Sequence, residues 1–258
     1  MKRYENGKWD LNDLVKNPTR KTFDKKINEI KKQSEKFAKN KSQLKPNISS
    51  KKFQQLLGEI EDITEKSSKI GGYAGLKFSE NTQSDEATAL LNRISQFGSI
   101  IENKMLFFDL WWKKQIDDKN AKRLIREAGE LADYLRYKRL VAKYALTEPE
   151  EKIINTLDVT GISALVKIYD KITNAFRYTV NFNGKKKTMS REELTTLVRS
   201  KNPKTREAAY KSLLTKYQDN KGVIGQIYQN IALNWKNEGI DMRGFESPIS
   251  IQNISNDV

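Results

Sequence analysis

The feature that most constrains this chain is the step of its apolar residues. Phe23, Ile27, Ile30, Ser34 and Phe37 recur at alternating gaps of four and three. Phe53, Leu56, Leu57, Ile60, Ile63, Ser67 and Ile70 keep the same step, and so do Ala87, Leu90, Leu91, Ile94, Phe97, Ile101 and Met105. A helix turns once in about 3.6 residues, so this spacing gathers the apolar side chains on one face and leaves Lys and Glu on the other. It predicts three long amphipathic helices that read as antiparallel hairpins. Loops fall at SQLKPNISS, punctuated by Pro46, and at the polar turn Asn81 to Asp85. The glycines Gly71, Gly72 and Gly75 interrupt the second stripe, but Tyr73, Leu76 and Phe78 continue it. We therefore expect the helix to run on, with these glycines allowing a close helix crossing. Ahead of the first helix, Trp9, Leu11 and Leu14 in WDLNDL read as an ordered segment that docks on the body.

The same period continues downstream. After a turn at Asp117 to Asn120, Leu124, Ala128, Leu131, Leu135 and Leu140 predict one further helix. Thr147 followed by Glu148 and Pro149 is a helix entry, because a first-turn Pro lacks only an N–H that would be unbonded anyway. Ile162, Leu165, Tyr169, Ile172 and Phe176 form the next stripe, beginning near Thr160. Then the step changes. Tyr178, Val180 and Phe182 alternate with Arg177, Thr179 and Asn181, a period of two that predicts a strand. Asn183-Gly184 is a hairpin turn signal, since both central residues of a type I′ turn need positive φ. The hairpin is expected over 177–189. Ser190 and Glu193 make a capping box, Asn202-Pro203 opens another helix, and Ile224, Ile227, Tyr228, Ile231 and Trp235 mark the last one. Gly244 and Pro248 break it, leaving Ile249, Ile251 and Ile254 in need of something to pack on. The expected fold is mainly α, with nine or ten helices and one small β-hairpin. The division expected is 1–118, helical hairpins, and 119–258.

Composition narrows the chemistry. The 258 residues contain no Cys and no His. Disulfides, thiolate or imidazole zinc sites, Cys-His pairs and Ser-His-Asp triads are therefore excluded from this chain. The net charge of +15 invites a nucleic-acid reading. Its lysines are scattered, however, as pairs at 25–26, 31–32, 51–52 and 113–114 and a triplet from Lys185 to Lys187. The longest apolar run, Met105 to Trp112, contains Asp109 and is far short of the ~20 residues that span a bilayer. The amino terminus shows no apolar signal segment, and a cytoplasmic location is expected.

Three carboxylate pairs are candidate acid–base or Mg²⁺ groups: Asp117-Asp118, Glu150-Glu151 and Glu192-Glu193. Each falls at a turn or in a predicted first helical turn, where acids favour the helix dipole, and the structural reading is preferred. Gly71 to Gly75 is not a phosphate-binding motif. Phe107, Phe108, Trp111 and Trp112 could stack bases or form a protein-pairing face, but at helical spacing they read as core. Lys185 to Lys187 read as a solvated turn. No catalytic, cofactor-binding or metal-ligating residue is predicted.

The ordered blocks LTEPEEKIINTLDVTGISALVKIYDKI, NFNGKKKTMS, REELTTLVRSKNPKTREAAYKSLL and MRGFESPISIQNISNDV resemble the N-terminal region of the oligoendopeptidase F branch of the thimet-oligopeptidase-like zinc peptidases. The resemblance is closest from Ala128 to Val258. It extends to the helical hairpins before Asp118 and to YAGLKFSENTQSDEA. It implies an α-helical, clamshell-like metallopeptidase that cleaves short peptides in a channel, with zinc held by H-E-x-x-H and a later Glu. With no His, this chain carries none of that motif. The resemblance thus implies a non-catalytic portion that forms a wall of the channel and is inactive alone. Zinc would belong to the intact enzyme, and its partners would be a C-terminal catalytic domain beyond this sequence and oligopeptide substrates. GFESPISIQNISNDV would be the join to that domain. The alternative is a basic helical nucleic-acid-binding module.

Overall fold

The computed structural model describes residues 9–182 and 185–256. Helices dominate, and the chain divides into two compact units, 1–159 and 160–258.

In the first unit, α1 (Arg20–Ala38), α2 (Ser50–Glu80) and α3 (Asp85–Leu110) pack on one another. Each starts at a hydroxyl cap. Thr19, Ser49 and Ser84 accept from the backbone N–H three residues on, each at 3.2 Å, satisfying a donor that the first turn leaves open. The predicted stripes are the buried faces. Phe23, Ile30 and Phe37 meet Phe53, Leu56, Ile63 and Ile70, and Ile94, Phe97 and Ile101 close the third side. Leu11 and Leu14 lie against this core and Val15 is fully buried, so the N-terminal segment docks as expected.

The aromatic run sits inside. Phe108 and Trp112 stack on Phe53 at 6.0 and 5.1 Å between ring centroids. A face for pairing with another protein at 105–112 is ruled out, because Phe107, Phe108, Trp111 and Trp112 are all buried. After Leu110 the helix widens into a π turn over Trp111–Gln115. Its freed carbonyls are met by one side chain. Arg139 Nη1 donates to the carbonyls of Trp112, Lys113 and Ile116 at 3.1 to 3.2 Å. Trp112 Nε1 donates to the Leu135 carbonyl at 3.0 Å.

The expected single helix after Asp117 is two, α4 (Asp118–Arg126) and α5 (Ala132–Leu140), separated by a 3₁₀ turn at Gly129–Leu131. Gly129 has φ of +59°, a left-handed conformation that stops a right-handed helix and that glycine adopts without strain. α6 (Glu148–Asp158) packs on α3, which joins it to the first unit, so the compact division falls after Val159 and not at 118/119. Polar groups make that seam: Ser99 Oγ donates to the Asn155 carbonyl at 2.8 Å, and Asn155 Nδ2 to Asn103 Oδ1 at 3.0 Å.

Gly71, Gly72 and Gly75 lie within α2, which continues to Glu80 as expected, but they allow no close helix crossing. A Cβ at Gly71 or Gly75 would meet nothing within 4 Å, and one at Gly72 would only touch Leu14 Cδ1 at 3.7 Å.

The second unit holds α7 (Ile162–Asn174), strands β1 (Tyr178–Phe182) and β2 (Lys185–Met189), α8 (Arg191–Val198), α9 (Pro203–Asp219), α10 (Lys221–Trp235) and α11 (Pro248–Ser255). The strands are antiparallel, with Tyr178 opposite Met189 and Val180 opposite Lys187. The Asn183-Gly184 turn lies outside the described residues. β1 alternates as its sequence does: Tyr178 and Val180 are buried, Thr179 and Asn181 exposed. They join Phe176, Leu194 and Ala209 in a small core with α8 and α9. The break expected at Gly244 and Pro248 is there, with Gly244 at φ of +73°. Pro248 does not end the structure, however; it opens α11, capped by Ser247 Oγ accepting from Ser250 N at 3.3 Å. Ile251 of α11 packs on Gly239, where a Cβ would come within 2.3 Å of Ile251 Cδ1. Asp257 and Val258 lie outside the described residues.

Candidate functional site

The three carboxylate pairs are brought to no common place. Asp117 caps α4, accepting from Asn120 N at 2.9 Å, and Asp118 pairs with Arg139. Glu150 completes the capping box of α6, accepting from Thr147 N at 2.9 Å, while buried Glu151 accepts from Leu146 N at 2.8 Å. Glu193 accepts from Ser190 N at 2.8 Å at the start of α8, and Glu192 lies 3.7 Å from Arg191. Every pair sits at a helix start, and among the described residues no group of three or more metal-ligating side chains could hold an ion. The lysines Lys185, Lys186 and Lys187 are exposed on β2.

Two features that the sequence did not announce lie in the second unit. The first is a cluster of phenols around a guanidinium. Tyr217 of α9 lies beside Arg191 of α8 and Tyr169 of α7, and Tyr178 of β1 shares the site. Phe176 braces it, meeting Tyr217 edge-on at 5.8 Å and Tyr178 at 6.4 Å. Tyr178 is 1% exposed, and its hydroxyl makes no well-formed hydrogen bond. Burial, and then the neighbouring Tyr217, push that hydroxyl up to about 12. Burial also raises Tyr169, and the Tyr217 hydrogen bond raises Arg191. Near neutral pH Tyr169, Tyr178 and Arg191 therefore keep their protons. They can donate hydrogen bonds and hold a positive charge, but they cannot act as a general base. The signal available in the sequence was only three tyrosines on three separate elements, which no local spacing connects.

The second is a pair of grooves flanking α9. One, of about 380 Å³, lies between the outer edge of β1 and α9, bordered by Thr179, Asn181, Lys211, Ser212 and Lys216. The other, of about 590 Å³, lies between α9 and α10 and is bordered by Leu214, Tyr217 and Ile224. Among the described residues no helix is long and apolar enough to cross a membrane.

Solved structures share this mainly helical fold. Oligoendopeptidase-F from Enterococcus faecium superposes with a TM-score of 0.75 at 18% identity, over 92% of this chain and 46% of its own. A candidate peptidase from Chlamydophila abortus superposes with a TM-score of 0.57 at 15% identity, over 97% of this chain and 42% of its own. The fold is thus that of part of an oligoendopeptidase-F chain, and this chain spans less than half the length of either structure. No family model matches the sequence, and no curated protein does.

Proposed function

We propose that this chain is the N-terminal, non-catalytic portion of a zinc-dependent oligoendopeptidase that hydrolyses short peptides in the cytoplasm. In that enzyme it would form one wall of the substrate channel. The observation that carries this reading is the likeness to oligoendopeptidase-F over 92% of the chain. The ordered sequence blocks between Ala128 and Val258 point the same way.

Zinc does not fit the residues present. The chain has no imidazole and no thiol, and its three candidate carboxylate pairs sit apart at helix starts, with Asp117, Glu150 and Glu193 engaged in caps. Activation of water by a metal would therefore fall to a catalytic domain outside these residues. What this chain supplies is shape: helices that exclude folded proteins and admit flexible peptides.

The test is direct. The 258-residue chain, given zinc in excess, should leave an internally quenched oligopeptide uncut and bind no stoichiometric zinc by equilibrium dialysis. Zinc-dependent cleavage by the chain alone would contradict the division of labour.

A second reading, a basic nucleic-acid-binding module, rests on the net charge of +15. It requires affinity for duplex DNA that falls with salt at a slope of about −0.9 per neutralised phosphate. A flat or absent response would remove it.

A further inference from the structure

We propose that the outer edge of β1 is a docking site for an extended acidic peptide segment, which adds to the hairpin as a third strand. In an antiparallel pair, successive residues turn their N–H and C=O alternately toward the partner strand and away from it. The Thr179 carbonyl accepts from Ser212 Oγ of α9 at 3.0 Å. Thr179 therefore faces away from β2, and by alternation Asn181 does too. Among the described residues, the N–H groups of Thr179 and Asn181 and the Asn181 carbonyl have no other partner. Open main-chain groups at this spacing are what a sheet edge offers an added strand.

The surroundings select the partner. α9 reaches this edge at Ser212, which an added strand would have to displace from the Thr179 carbonyl, and beside that contact strand and helix border the 380 Å³ groove, within the size range of ligand clefts. Arg177, Lys211 and Lys216 border it against a single acid, Asp219. Glu207 partly offsets Lys211 through an ion pair exposed on both sides, and such pairs are weak. Lys216 lies 5.5 Å from the Phe176 ring, and Arg177 donates to the Phe176 carbonyl at 3.0 Å, so two of the cations are held in place. Lys185 and Lys186 add positive charge on β2. An acidic strand is attracted here and a basic one repelled. This site does not depend on the peptidase reading, because binding is measured without cleavage.

The probe is the blocked hexapeptide acetyl-Glu-Val-Glu-Val-Glu-Val-amide, titrated into the isotopically labelled full chain. Saturable binding is expected, with slowed exchange of the Thr179 and Asn181 amides and affinity that falls with added salt. Asn181→Pro removes an outward N–H and leaves the β2 ladder whole, since proline is tolerated at solvent-facing edge positions. It should weaken binding about tenfold or more while the Val180 and Lys187 amides stay protected. Should that variant misfold, Lys211→Glu with Lys216→Glu, both on the α9 surface, should produce a similar loss. It should also make the Lys-for-Glu hexapeptide the tighter ligand. No saturable binding below ~1 mM, a weak-complex limit, would overturn the proposal. So would equal affinity of the wild type for the acidic and basic hexapeptides, or undiminished binding by a folded Asn181→Pro.

Discussion

The two units of this molecule solve the burial problem differently. The first closes one continuous core from Val15 to Leu135, built from three long helices and the Phe53–Phe108–Trp112 stack. The second has a core of five buried residues, Phe176, Tyr178, Val180, Leu194 and Ala209. Yet it carries large apolar side chains on its surface: Tyr228 is 72% exposed, Ile249 63% and Val223 58%. Single exposed apolar residues are ordinary, but several along α10 and α11 mark a surface that another one would cover. The first unit exposes apolar side chains too, Leu140, Trp9 and Ile100 among them, and its α6 turns polar groups to α3 and leaves Ile153 and Leu157 outward. A channel wall in a larger enzyme would need such faces, which is how this contrast supports the proposed role.

The contrast can be broken by mutation. Trp112→Ala should cost about 3–5 kcal/mol, because it removes a buried stack and the hydrogen bond to Leu135 and leaves a cavity. Urea unfolding of the full chain measures it, and a loss below ~1 kcal/mol would mean the core repacks with ease. Leu194→Ala, in the smaller core, should cost about 2–3 kcal/mol. Its amide exchange should rise across 162–255 and leave α1 to α3 protected. Opening of both units together would erase the distinction between them.

How much of this contrast the sequence already carried differs by unit. The stripes at Phe23, Phe53 and Ala87 became α1, α2 and α3 because each unbroken 3.6-residue pattern has one face to bury, and one core received all three. The hairpin was legible because Tyr178 and Val180 alternate with exposed neighbours. The break between α4 and α5 was not, since Leu124, Ala128, Leu131 and Leu135 keep the helical step through Gly129, and only the backbone reveals the positive φ there. α11 was missed although Ser247-Pro248 is a helix entry, because the proline was read as an end. The phenol cluster and the β1 groove were illegible for a different reason. Tyr169, Tyr178, Arg191 and Tyr217 meet only through tertiary packing, and which strand edge stays open depends on where α9 lies.

A pH measurement sharpens the picture of the first unit. Burial acts to raise the carboxyl of Asp109, but the charges and hydrogen bonds of Lys138 and Lys113, at 2.9 and 2.6 Å, outweigh it and hold the pKa below the usual value. A folded-state pKa below the unfolded one adds stability above the unfolded value of about 3.9, which is lost as pH falls through the folded value. Asp109→Asn should therefore be less stable than wild type near neutral pH, and the gap should close below about pH 4. A constant gap would show that the two lysines contribute nothing through charge. The smallest effect is expected on the open face of the second unit. Tyr228→Ser should change stability by no more than ~0.5 kcal/mol, since an exposed side chain makes little of the fold. A larger loss would mean that face is covered by the chain itself.

The central claim is that this chain is a scaffold working with a zinc-bearing catalytic portion. The most direct measurement is to tag the natural gene at residue 1, recover the product from its own cells, and assay it beside the isolated 258-residue chain. The account predicts zinc-dependent oligopeptide cleavage in the recovered material, with a H-E-x-x-H sequence either continuous with this chain or bound to it, and none in the isolated chain. Cleavage by the isolated chain, or recovered material with no histidine-bearing catalytic sequence and no peptidase activity, would contradict it.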